Sequence, residues 1–293
     1  LSKGEAAPAS MKEWVQRAAQ SMNPSDAHSA SLIDIIYRFT NLHSQIRNNH
    51  PFYDPNLIVQ ESLALDLELD EWDKQLPETW RFTVKNTTQN SEYLYNGQVH
   101  EYQDMWKLRI YHNYRWARII VNEIIIIYQA QSGSFSSENL LQKQRSLNII
   151  KKLATDICTS VSHMFNRVSV WEAKRKEIPP ISGCFMIIFP LAVAGSGIGV
   201  PEHLHLWTIK ILEVIGNKMG ILQALTVVPL IRMQRQRWIE GYGGSGYQVL
   251  SQGDLSPRSD TSPVTNPWDS LGRGSFGLSS KDTEFSASSD KIN

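Results

Sequence analysis

The stretch Ile178–Val200, "IPPISGCFMIIFPLAVAGSGIGV", holds no charged residue and limits the fold more than any other part of the chain. It can span a membrane, cradle a phosphate on its glycines, or pack inside a core. A spanning helix needs roughly 20 consecutive apolar residues. Here the apolar run is shorter, Cys184 to Ala194, with Pro179-Pro180 and Gly183 before it, Pro190 inside it and three glycines after it. The basic cluster Lys174-Arg175-Lys176 would suit a cytoplasmic flank, but the length requirement is unmet. Gly195, Gly197 and Gly199 do not have dinucleotide-site spacing, no period-two strand precedes them and no P-loop lysine follows. The stretch is therefore expected to form a short helix, apolar all round and held in the core of a large domain. Pro190 should kink that helix or start a new one, and the glycines should make a flexible turn.

The rest of the apolar pattern is helical. Leu32, Ile35, Ile36 and Phe39 predict a helix starting at Ser31, whose hydroxyl would cap it. Ile58, Leu65, Leu69, Trp72 and Leu76 predict a second over 56–76. A polar stretch, "KNTTQNSEY", follows with no period of either kind. A long helix is expected over 100–131, in which Trp106, Ile110, Tyr114 and Ala117 share a face and the run Ile124–Ile127 stays helical because no turn signal interrupts it. Another is expected over 138–166, burying Leu140, Leu147, Ile150, Ala154, Ile157 and Val161. Two more cover 201–216 and 220–238. Residues 1–30 read as a partly disordered linker with one short helix near Met11 to Ala19. Residues 241–293 hold eight of the seventeen glycines and many serines, and are expected to be a disordered tail. The fold class is all-α, a single irregular multi-helix bundle over 31–240.

Little in the chain points to bond-making chemistry. Lys+Arg and Asp+Glu both number 29, so net charge argues for neither nucleic acid nor an anionic membrane as a partner. The two cysteines, Cys158 and Cys184, lie among apolar neighbours and read as buried thiols in a reducing compartment, which leaves the sequon Asn86-Thr87-Thr88 without use. The eight histidines form no metal-ligand spacing, and surface positions are expected for them. His203 and His205 would face different ways on a helix. No nucleophile elbow occurs. Glu68, Asp70, Glu71 and Asp73 look like the wet face of a helix. The expectation is a chain that is not an enzyme and holds no cofactor or metal of its own.

The aromatic residues are more informative. "EYQDMWKLRIYHNYRWAR" gathers Tyr102, Trp106, Tyr111, Tyr114 and Trp116 with Arg109, Arg115 and Arg118. Tyrosine and tryptophan combine large area with a polar tip, which suits ligand pockets and interfaces. Ordinary helix packing is the simpler account of the same residues. The candidate ligand or partner contacts are Trp106, Arg109, Tyr111, Tyr114, Arg115, Arg118 and, from a later helix, Trp207. Ser256 and Ser262, each followed by proline, are candidate phosphorylation sites in the tail.

Four segments also resemble one family. "YHNYRWARIIVNE" (Tyr111 to Glu123) is similar to the Tyr-Arg-x-x-Arg helix in the C-terminal half of fungal zinc-cluster transcription factors. "LATDICTSV" (Leu153 to Val161) resembles their Ile-Cys-x-Ser helix, and "FPLAVAGS" (Phe189 to Ser196) their Pro-Leu-x-x-Ala-Gly segment. "WTIKILEVIGNKMGILQA" (Trp207 to Ala224) looks like their helix ending Ile-Gly-x-x-Met-Gly-Ile-x-x-Ala. Order and spacing agree over about 31–238. The resemblance implies an all-helical regulatory region with small-molecule or protein inputs, acting in the nucleus on transcription by RNA polymerase II. Members bind DNA through an N-terminal cluster in which six cysteines hold two zinc ions. Two isolated cysteines cannot build it, so zinc and DNA contact are expected only through that missing domain. The expected mechanism is a shift between packings of the helices near Trp106 to Arg118 and Trp207 to Ala224. A helical interaction scaffold without ligand is the alternative, and a helical enzyme a more distant one.

Overall fold

Two aspartates open the helices on which the core is built. The Asp54 side chain accepts from the Asn56 amide at 2.9 Å, with Pro55 in the first turn where a missing amide costs nothing. Asp104 accepts from the Lys107 amide at 2.8 Å. Each such cap is worth about 1 kcal/mol. In the computed structural model, which describes residues 8–21, 27–49, 54–87, 93–132, 136–172 and 181–242, they start α3 (Pro55–Lys74) and α4 (Met105–Gln131). The other helices are α1 (Ala9–Ser21), α2 (Ala27–Asn49), α5 (Ser137–Glu172), α6 (Ile181–Ser196), α7 (Glu202–Met219) and α8 (Gln223–Tyr242). Among the described residues the protein is all-α apart from one antiparallel ribbon, β1 (Thr83–Asn86) with β2 (Gln98–Glu101), between α3 and α4.

That ribbon departs from the sequence pattern. It pairs Val84 with His100 and Lys85 with Val99, so α4 starts five residues later than periodicity suggests. Its signal lies in Asn96-Gly97, both at positive φ, where the Gln98 amide donates to Tyr95 O at 3.2 Å. Asn-Gly suits this turn because both residues tolerate the left-handed region. Helix α2 likewise begins four residues before Ser31, which is an exposed position within it. The Trp72 indole of α3 donates to His28 O at 2.8 Å and ties this added turn to the body.

Consecutive helices pack on one another from α1 to α8. Helix α4 also touches α2 and α6, and α8 returns to α6. Every residue of α4 from Tyr114 to Tyr128 is buried. Tertiary burial on all sides explains why Ile124–Ile127 is helical despite its β-branched side chains. Helix α6 occupies the other central place. From Ile187 to Ile198 only Phe189 is not fully buried, and α6 runs unbroken through Pro190 rather than restarting there. The carbonyl that loses its amide partner belongs to Met186, a surface residue. On α5, Ile150, Ala154, Ile157 and Val161 are buried as expected, but Leu140 is 56% exposed because it lies in the first turn, ahead of the packed part of the helix.

Among the described residues, no helix is long and apolar enough to cross a membrane. The expected tail with Ser256 and Ser262, apart from Gly241 and Tyr242 at the end of α8, and the cluster 174–176 lie outside the described residues.

Gly195 marks the tightest approach between α6 and α7. A Cβ there would sit 2.8 Å from Thr208 Cγ2 and 3.0 Å from Thr208 Cβ. Gly195→Ala should lower stability by about 1–3 kcal/mol through overpacking, measured by urea denaturation.

Candidate functional site

The polar residues of α4 are unusual in lying inside. Arg118 donates from Nε to Asp66 Oδ1 at 2.8 Å, from Nη1 to the Tyr114 hydroxyl at 2.8 Å, and pairs through Nη2 with Asp70 Oδ1 at 2.7 Å. Asn122 donates to the same Asp66 oxygen at 2.7 Å and to Arg118 O at 2.9 Å. Asp66 and Arg118 are both buried. Burial opposes ionisation of Asp70, but hydrogen bonds from Lys74 and Arg118 outweigh it and hold the carboxyl below its usual range. Burial pushes the Tyr114 phenol up. A buried ion pair needs each remaining lone pair and proton satisfied, and this one comes close.

One turn earlier, Arg115 is in a different setting. It is 1% exposed, and its guanidinium carbon lies 5.2 Å from the Phe82 ring centre, 5.2 Å from Tyr111 and 5.7 Å from Tyr102. Among the described residues no ion pair involves it, and neither Nη1 nor Nη2 has a hydrogen-bond partner. Asp156 acts on it electrostatically, yet that carboxylate is bonded to Lys152 at 2.8 Å. The Tyr102 hydroxyl faces the guanidinium within reach of a long hydrogen-bonding contact, which falls short of a closed hydrogen bond. The ribbon supplies two walls of this box. His100 stacks on Phe82 with ring centres 4.4 Å apart, and Tyr102 lies 5.1 Å from Phe82. Burial, then Arg115, lowers His100 to about 4. The same causes, in the same order, hold His112 well below its ordinary value. Its Nε2 meets Ser160 Oγ at 3.0 Å, and that hydroxyl donates to Ile157 O, so Nε2 carries the proton and Nδ1 is a bare acceptor.

The glycine turn after α6 is fastened rather than flexible. Ile198 N donates to Glu123 Oε1 of α4 at 3.1 Å. His205 Nδ1 of α7 meets Gly195 O at 2.7 Å. From α8, the Trp238 indole donates to Ser196 O at 2.8 Å and Arg235 to Val200 O at 3.1 Å. Carbonyls and an amide freed by the end of α6 thus find partners on three helices.

Of the expected contacts, Tyr111, Tyr114, Arg115 and Arg118 are buried together along α4. Trp106 and Arg109 are not with them. Trp106 is 44% exposed, with Arg109 stacked over it at 5.8 Å, because that side of the start of α4 is left uncovered while Leu108 on the other side is buried. Trp207 is half-buried and meets Tyr95 edge-on at 5.1 Å, so the segment leading into β2 links it to the Arg115 box. Tyr102 precedes α4 instead of lying on it.

The histidines also differ from expectation. His43, His100, His112, His163 and His205 are buried, each on a packed face, while His203 is exposed and so opposite to His205. Asp70 is not a free surface acid but a partner of Arg118, and Glu68 is paired with Arg38. Asp66, Asn122, Glu123, Phe82 and Trp238 escaped notice as site residues. Asp66 had a signal, since it falls beside Leu65 and Leu69 on the apolar side of its helix. Cys158 and Cys184 are buried; burial pushes their thiols up to about 12 and about 11, so neither is a thiolate at neutral pH. Among the described residues, no group of three or more His, Cys, Asp or Glu could hold a metal ion. Compared with protein-family models, curated proteins and solved structures, the chain matches none.

Two outcomes follow from these networks. Asp66→Ala should cost about 1–3 kcal/mol by urea denaturation, because it leaves the buried Arg118 Nε without its acceptor while Asp70 and Tyr114 still hold the other two nitrogens. Replacing both partners, Asp66→Leu with Arg118→Met, should cost less than that single change. The second concerns pH. His100 has an ordinary value of 6.5 and a folded value of about 4, so between these limits the unfolded chain binds more protons. Its contribution is fully present above pH 6.5 and is lost as the pH falls towards 4. Stability should fall over that window, and His100→Phe should flatten the slope by up to roughly 3 kcal/mol across it, read from urea midpoints at each pH.

Proposed function

We propose that this chain is the regulatory, non-DNA-contacting portion of a fungal transcription factor, which receives a small-molecule or protein signal in the nucleus and passes it to transcription by RNA polymerase II. DNA contact and zinc would belong to an N-terminal cluster outside this chain, and the chain itself would catalyse no reaction. The observation that carries the reading is the placement of the four family-like segments. They fall on α4, α5, α6 and the span from α7 into α8, in order, and these helices pack on one another.

The arrangement also offers a route for a signal. Helix α4 carries Arg115 at one level and Glu123 two turns on, and Glu123 holds the turn that His205 and Trp238 grip from α7 and α8. A change in how Phe82 and Tyr102, at the ends of the ribbon, sit on α4 would act on the last two helices through that turn. A ligand drives such a change only by binding one packing better than the other. A scaffold reading is favoured by Phe185 and Met186, consecutive exposed apolar residues on α6, which would receive a partner rather than a metabolite.

The test is a fusion of the full chain to a heterologous DNA-binding domain in a fungal host carrying a matching reporter. The regulatory reading expects reporter output to differ from the DNA-binding domain alone, and Glu123→Gln to shift it with little change in protein level. Output indistinguishable from the DNA-binding domain alone, across growth on varied carbon and nitrogen sources, would refute it.

A further inference from the structure

We infer that the box around Arg115 is a binding site for a small monoanionic carboxylate, recognised by the Arg115 fork and the Tyr102 hydroxyl. The inference deepens the regulatory proposal by naming the chemical class of its input. It starts from a concentration of unmet polar atoms. Arg115 Nη1 and Nη2, Tyr102 OH, His100 Nδ1 and His112 Nδ1 are all buried and, among the described residues, no protein group closes a hydrogen bond to them. They are not scattered. Arg115 acts electrostatically on His100, Tyr102 and His112, and Phe82 touches His100, Tyr102 and Arg115.

Native proteins pair nearly all their buried polar groups, and a buried charge without a counter-charge is among the costliest exceptions. Aromatic faces return part of that cost. They leave the two terminal nitrogens of the fork unused. Those nitrogens have the spacing that accepts both oxygens of one carboxylate. The Arg118 network a turn away is the internal contrast, with two aspartates, a tyrosine and an asparagine closing around the same side chain type.

Charge selects the class. Among the described residues, the guanidinium is the single positive group of the box at neutral pH, because burial keeps His100 and His112 neutral. The other charged groups acting here, Asp156 and Lys152, neutralise each other, and Arg81 and Asp73, which act on Tyr111, form their own pair at 3.5 Å. A monoanion therefore balances the site, whereas a dianion such as sulfate leaves one charge buried without compensation.

The experiment uses the full chain with sodium acetate and sodium formate as probes, against sodium chloride and sodium sulfate at matched ionic strength. Thermal midpoints give a titration, and saturation transfer to the acetate methyl protons gives a direct readout. The expected result is saturable stabilisation by acetate and formate, none by chloride, and less by sulfate. Tyr102→Phe keeps the aromatic wall and removes only the hydroxyl, and should weaken acetate about tenfold. Arg115→Met should abolish the transfer signal; if that variant does not fold, Tyr102→Phe alone decides. Acetate behaving as chloride does, sulfate matching acetate, or Tyr102→Phe leaving acetate affinity unchanged would each overturn the inference. An inert reporter fusion with intact acetate binding would defeat the regulatory proposal and leave the site standing. An active fusion with no acetate binding would do the reverse.

Discussion

From Tyr114 to Tyr128 helix α4 is covered on every side, and yet that stretch carries two guanidinium groups into the interior. That combination sets the terms for its neighbours. An α-helix with no wet face cannot be placed by amphipathicity, so its rotation and its height must come from directional contacts. Arg118 supplies them on one side, where Asp66 and Asp70 fix α3 against α4 to within one turn. Glu123 supplies them on another, through the amide of Ile198 after α6. Apolar packing gives the bulk of the cohesion, and these few hydrogen bonds choose one arrangement from the many that apolar surfaces would tolerate.

The two arginines show how neighbouring positions on one helix can serve different ends. Three residues apart, their side chains leave the helix about 60° apart around its axis, enough for each to meet different elements. Arg118 faces α3, whose acids come from a helix with its own cap and a fixed register. Arg115 faces the ribbon and α5, where aromatic rings outnumber acids. A cation held by ring faces is less firmly oriented than one held by carboxylates, since the attraction is broad in angle. The half of α4 that touches the ribbon is thus the half better suited to respond to a change in its surroundings.

Much of the fold was legible because helical spacing of large apolar residues survives in a single sequence. Leu65, Leu69 and Trp72, or Ile150, Ala154 and Ile157, announce both the helix and its buried face. The ribbon was hidden because its strands are four residues each, too short for alternation to stand out, and one of them is exposed throughout. Asn96-Gly97 was the one local mark of it. The site was partly legible. The cluster of tyrosines and arginines drew attention to α4, but Asp66 and the ribbon's His100 and Tyr102 come from elsewhere in the chain, and no local pattern ties them to Arg115 or Arg118. Surface positions were the natural expectation for the histidines, and five lie inside, four on helices and His100 on β2, each on a side packed against a neighbouring element.

The turn after α6 bears on the order in which the protein can be made. Its Ser196 carbonyl is met by the indole of Trp238, some forty positions downstream, which the ribosome delivers last of all the groups that grip it. Until α8 has emerged from the exit tunnel, a nascent chain holds a greasy central rod whose end is only half secured. Final locking of the domain is therefore a late event in synthesis, and a chain stopped short of α8 presents that rod to chaperones and proteases.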